Sequence, residues 1–90
     1  MNYDTVKTHL ENAHRVLIHS GEDLDLQDLA FFDGALKRKE WRAALSALEE
    51  CGAATPVNAD FWREMLNAAR ELDLPRYQAR IEKQLKLSGE

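Results

Sequence analysis

Three histidines, His9, His14 and His19, stand at steps of five near the start of the chain, and they are the first residues whose type could do chemistry. A metal ion needs its ligands on one face. Five positions along an α-helix rotate each side chain about 140° from the last, so this spacing sends the rings toward different neighbours. No HExxH pattern accompanies them, and no metal site is expected. His14, nearest the apolar stripe of its helix, reads as a hydrogen-bonded boundary residue. Asp23, Asp25 and Asp28 raise calcium, but an EF-hand loop needs alternating oxygen ligands, a mid-loop glycine and a closing glutamate, and the stretch lacks that frame. Helix capping accounts for it better. Cys51 is the single cysteine, with no base visible nearby, and reads as a small buried filler. Acid pairs such as Glu49 with Glu50, or Glu64 with Glu71, are ordinary solvated charges unless a cleft shifts a pKa. With no phosphate-cradling glycine loop and no nucleophile in a local signature, the expectation is a protein that is not an enzyme and takes no cofactor.

Charge is distributed unevenly about a net −4. Glu22, Asp23, Asp25, Asp28 and Asp33 run without an intervening base, Lys37, Arg38 and Lys39 follow at once, and Arg76, Arg80, Lys83 and Lys86 crowd the last helix. One reading is a solvated surface whose acids complement helix N-termini and whose bases complement C-termini. The sharper reading takes the five acids as a face for a basic protein partner. Arg76, Arg80 and Lys83 share one face of a helix, opposite Tyr77 and Ile81, and could track a phosphate backbone. The overall acidity, Glu71 and Glu82 nearby and the lack of stacking aromatics argue against nucleic acid.

These residues need elements to position them. Ninety residues allow one core, so residues 1–90 are expected to form a single domain, and the 44% apolar content with many Ala, Leu, Glu, Arg and Lys favours helix throughout. No run is long and apolar enough for a membrane span, and MNYDTVKTHLENAH lacks the apolar core of a signal peptide, so a cytoplasmic chain is expected. The pattern predicts helix one from Asp4, as its cap, to about Ser20, with Val6, Leu10, Ala13 and Leu17 buried and Gly21 at its end. Helix two runs from Leu26 to about Lys37 behind Asp25, with Leu26, Leu29, Phe32 and Leu36 inward and Gly34 suggesting a close helix approach. Helix three spans Glu40 to Cys51, with Trp41, Ala44, Leu45 and Leu48 inward and Gly52 ending it. The longest helix is expected between Asn58, its cap, and Pro75, with Trp62, Met65, Leu66, Ala69 and Leu72 on one stripe and Val57 stapled against Trp62. A last helix follows Pro75 to about Leu87, burying Tyr77, Ile81 and Leu85, with Ser88, Gly89 and Glu90 frayed. Phe31 and Phe61 fall off the main stripes and are candidate exposed contacts.

Helices two and three, then four and five, form two successive antiparallel hairpins. A shift of 33 residues places Leu29 on Trp62, Phe32 on Met65, Leu36 on Ala69, Ala44 on Tyr77 and Leu48 on Ile81, all apolar. The period, with Ala44 and Pro56 twelve apart and Trp62 opening the next unit, resembles tetratricopeptide repeats over residues 25–87. The fold expected is therefore all-α, about five helices, an N-terminal helix plus two stacked hairpins. KEWRAALSALEECG followed by FWREMLNAARELDL also resembles the small all-helical immunity proteins of polymorphic and contact-dependent bacterial toxins. There a polar-aromatic pair opens a helix running into alanine and leucine, as Glu40, Trp41, Ala44 and Leu48 do here. A phenylalanine–tryptophan pair then opens the next helix and an Ala-Ala pair follows, as Phe61, Trp62, Ala68 and Ala69 do. That resemblance implies a non-catalytic domain that covers the active site of a basic toxin domain, with Glu22, Asp23, Asp25, Asp28 and Asp33 as its partner face. The alternative is a tetratricopeptide-like adaptor that holds a peptide or a second copy of itself.

Overall fold

In the computed structural model, which describes residues 2–88, three helices start where a side chain satisfies free backbone amides. The described residues form five α-helices: α1 (Tyr3–Ser20), α2 (Leu26–Lys37), α3 (Trp41–Ala53), α4 (Ala59–Glu71) and α5 (Pro75–Leu87). Asn2, not Asp4, caps α1: its Oδ1 accepts the Thr5 amide at 3.1 Å, leaving Asp4 as a first-turn charge. With 18 residues α1 is also the longest helix, ahead of the 13 of α4. Asp25 accepts from the amides of Gln27 and Asp28 to start α2, and Asn58 accepts from Asp60 to start α4, as their positions predict. Pro75 opens α5 at a position that needs no amide hydrogen. The Ser88 hydroxyl closes α5 by donating to the Gln84 carbonyl, and the expected fraying of Gly89 and Glu90 lies outside the described residues.

Both hairpins turn in the same way. The amides of Lys39 and Glu40 donate to the carbonyls of Leu36 and Ala35, and those of Asp73 and Leu74 to Arg70 and Ala69. Each pair is a Schellman closure with its central residue in the left-handed region, at φ 60 for Lys39 and 53 for Asp73. The turns lie 34 positions apart, whereas Leu26 and Ala59, the first residues of α2 and α4, lie 33 apart. The extra position is the additional residue of α4, so a 33-residue shift aligns the first helices and slips by one after the turn.

One apolar cluster draws on all five helices: Val6, Leu10, Ala13 and Leu17 from α1, Phe32 and Ala35 from α2, Leu45 and Leu48 from α3, Met65 and Ala69 from α4, and Ile81 from α5 are among its buried members. Fully burying a Leu or Met side chain contributes about 1.5–3 kcal/mol, so these stripes dominate the stability. α1 lies antiparallel along α4, with His9 Nδ1 at 2.6 Å from Glu64 Oε2 and the Asn2 amide donating to Glu71 Oε1 at 2.9 Å, and it also touches α3. The two hairpins meet where α3 touches α4, and Arg80 of α5 reaches α3 with two hydrogen bonds to Glu49 at 2.8 and 2.9 Å. Thr55 ties the loop after α1 to the loop after α3, its Oγ1 accepting the Glu22 amide at 2.7 Å and donating to the Glu22 carbonyl at 2.9 Å.

Four expectations about individual residues change. Gly52 does not end α3 but lies buried inside it, and a Cβ there would stand 2.3 Å from Phe61 Cε2. The bare backbone is what admits that ring, so Phe61 is fully buried, edge-on to Trp62 with centroids 4.8 Å apart, rather than an exposed contact. α4 is packed by α1, α3 and α5 together, which widens its buried face beyond one stripe. Leu26 is 77% exposed, because α2 enters the core through its C-terminal half, at Phe32 and Ala35. Gly34 marks no helix crossing, since the space beside it is filled by the Arg38 side chain.

Candidate functional site

The α2–α3 hairpin and the start of α5 enclose an open groove of about 800 Å³. Arg42, Ala43, Ser46, Ala47 and Glu50 recur at steps of one, three and four, which brings them to one face of α3, beside the buried stripe of Ala44, Leu45 and Leu48. Alanines at 43 and 47 keep the floor low. Phe31, 55% exposed, forms one wall from α2, Trp41 lines the groove at the start of α3, and Tyr77 comes from α5. Tyr3 of α1 stacks on Trp41 with centroids 6.0 Å apart and planes at 18°, which holds the indole in place. The groove thus sets an exposed aromatic wall over a small-residue floor.

Charges sit toward opposite ends of this groove. Asp28 lies near Cys51, at the C-terminal end of α3, with Glu50 on the adjacent turn. Arg42 lies at the N-terminal end beside Tyr77, where the Ser46 hydroxyl first, and then the Arg42 and Arg80 guanidinium groups, lower the phenol's pKa against the opposing effect of burial. Arg80 also covers the Tyr77 ring at 4.4 Å, with its own pKa raised mainly by its hydrogen bonds to Glu49. That engagement folds Arg80 back onto α3 and Tyr77, so Arg76, Arg80 and Lys83 do not form a continuous free basic stripe. Among the described residues Asp28, Glu50 and Arg42 form no ion pair, whereas Glu40 at the groove's edge pairs with Arg38 at 3.1 Å.

The five acids read from the sequence do not share one surface. Asp28 lines the groove, Asp25 spends its carboxylate on the α2 cap, and Asp33 pairs with Lys37 at 3.2 Å. Asp33 faces a second hollow, of about 280 Å³, with Lys7 and Glu11 of α1. Glu22 and Asp23 are exposed on the α1–α2 loop, where Asp23 takes a left-handed φ of 49. Five positions from Asp28 to Asp33 turn the side chain about 140° around α2, which is why sequence neighbours become surface strangers. Arg42, Ser46 and Glu50, which do meet in the groove, carry their only sequence signal in the alternation of charged residues with Ala43 and Ala47 beside the core stripe.

The histidines diverge, His9 to Glu64, His14 to the Phe32 ring at 4.9 Å, and His19 to solvent. Burial lowers the His14 pKa, opposed by Asp33. Burial raises the pKa of Cys51, which holds it as an unreactive thiol. Among the described residues no group of three or more His, Cys, Asp or Glu stands together to hold a metal ion, and no helix is long and apolar enough to cross a membrane. Comparison with protein-family models, curated proteins and solved structures finds no match. The groove's own chemistry is therefore the guide to what the domain does.

Proposed function

We propose that this is a non-catalytic protein-binding domain of the immunity type, which neutralises a basic toxin domain by occupying its active site with the α2–α3–α5 face. The observation that carries the reading is the groove itself: Phe31 and Trp41 stand over a floor of Ala43 and Ala47, with Asp28 and Glu50 unpaired at one end. Aromatic anchors beside a small-residue floor give contact area at low entropy cost, and unpaired acids steer a lysine- and arginine-rich surface toward it. The resemblance of KEWRAALSALEECG and FWREMLNAARELDL to immunity proteins supplies the partner class. The partner face in this reading narrows from Glu22, Asp23, Asp25, Asp28 and Asp33 to Asp28 with Glu50.

The test is co-expression with the polypeptide encoded beside this chain, followed by sizing at two salt concentrations. The expected result is a one-to-one complex whose association slows as salt screens the acids, and whose toxin loses activity. A partner that stays active in the complex, or affinity indifferent to reversing Asp28 and Glu50 together, would overturn the proposal. The exposed Phe31 also favours a second reading, a peptide-holding adaptor, which the same experiment would reveal as binding without inhibition.

A further inference from the structure

The charge order along the groove narrows what can lie in it. Asp28 and Glu50 stand at the end near Cys51, Arg42 stands at the other beside Tyr77 and Ser46, where the neighbouring Glu40 is already held by Arg38, and Phe31, Ala43 and Ala47 lie between. From Glu50 back to Arg42 is eight residues of α3, or about 12 Å at 1.5 Å per residue. An extended chain rises about 3.3 Å per residue, so about four residues span the same distance. The geometry points to an occupant of stated chemistry: an extended partner segment with a basic side chain at one end, a bulky apolar side chain in the middle, and a carboxylate about four residues from the base.

Each part of that segment has a receiver. The base would lie between Asp28 and Glu50, neither of which forms an ion pair among the described residues. The apolar side chain would pack on Phe31 over the two alanines. The carboxylate would meet Arg42, with the hydroxyls of Ser46 and Tyr77 alongside, since Arg42 and Ser46 both stand close to the Tyr77 phenol. Arg42 can hold a carboxylate through two parallel hydrogen bonds, which makes this end selective for sign and for shape. A uniformly basic segment would satisfy one end and oppose the other, so the inference deepens the proposed function by asking for a basic surface that carries one acid at a set distance.

The inference rests on the groove being the binding face, and the experiment separates the two. Three acetylated peptides are titrated into the full chain by NMR, following the ring signals of Trp41 and Tyr77: Arg-Ala-Leu-Ala-Glu, Arg-Ala-Leu-Ala-Arg and Glu-Ala-Leu-Ala-Glu. The mixed peptide is expected to bind roughly tenfold more tightly than either like-charged one, a difference worth about 1.4 kcal/mol. Arg42→Glu should transfer the preference to the doubly basic peptide, and Arg42→Gln should remove the preference against it. Both substitutions are at an exposed position and leave the core intact. Equal binding of all three peptides would overturn the charge order while leaving the groove as the face. Ring signals that move with none of them, or that move only with protein concentration because a second copy fills the groove, would overturn the inference, and retention of the protein complex by Ala43→Trp would overturn the face as well.

Discussion

Replacing Gly52 with alanine sets two effects of opposite sign against each other. Alanine is favoured over glycine inside a helix by about 1 kcal/mol, so on propensity alone Gly52→Ala should stabilise α3. The new methyl, however, would lie 2.3 Å from Cε2 and 2.6 Å from Cζ of Phe61, where carbon atoms ordinarily rest about 3.5–4.0 Å apart. An approach short by more than about 1 Å needs the ring or the α3–α4 crossing to move. Phe61 is fully buried, with Trp62 edge-on at 4.8 Å, so the ring has no free direction. Overpacking costs about 1–3 kcal/mol, and an approach this short belongs at the upper end, about 2–3 kcal/mol, which exceeds the helix gain. The net expectation is a loss of about 1–2 kcal/mol, or roughly 5–15 °C in Tm for a domain of this size. Urea unfolding followed by tryptophan fluorescence and by circular dichroism measures it. Adding Phe61→Leu should recover part of the loss, so that the double variant is more stable than the sum of the single ones predicts. A Gly52→Ala protein as stable as the parent, or more so, would refute the close-approach argument.

Three further outcomes follow from the same packing. Thr55→Ala removes both hydrogen bonds to Glu22 and should cost about 1–2 kcal/mol, with faster hydrogen exchange at the Glu22 amide as the local check. Because the His14 pKa is lowered on folding, the unfolded chain binds its proton more readily, so the stabilisation is present above the ordinary histidine value of about 6.5 and is lost as pH falls below it. Denaturation at pH 7.5 and 5.5 should therefore show a slope that His14→Gln reduces. Lys39→Gly and Asp73→Gly relieve left-handed backbone at the two hairpin turns and should each stabilise by about 0.5–1 kcal/mol, read as a higher urea midpoint with unchanged m.

The stripe of α1 was legible in full: Val6, Leu10, Ala13 and Leu17 are all buried, because one face of a long helix meets one layer of neighbours and periodicity reports that directly. The caps at Asp25 and Asn58 and the break at Pro75 were equally readable, being local chemistry. Gly52 was not, because a glycine that admits a ring from another helix looks in sequence like a helix end. Lys39 and Asp73 carry no glycine signature for the left-handed turns they form, so the 34-residue spacing of those turns was hidden behind a 33-residue hydrophobic match. The groove is a tertiary object for the same reason: Arg42, Ser46 and Glu50 share a face of α3 by their spacing, but nothing in the linear order brings Phe31 of α2 and Tyr77 of α5 to that face. Acids adjacent in sequence are not adjacent in space, because the turn of α2 sends Asp28 and Asp33 to different hollows.

If the α2–α3–α5 groove is the binding face, affinity for the co-expressed partner should separate three variants. Ala43→Trp fills the floor, Asp28→Lys with Glu50→Lys reverses the acidic end, and Glu22→Lys with Asp23→Lys alters exposed acids outside the groove. With folding verified by circular dichroism, at least roughly 30-fold weaker binding is expected for the first two, about 2 kcal/mol each, and a change of less than about threefold for the third. The opposite ranking, with the loop acids dominant and the filled groove still binding, would contradict that assignment.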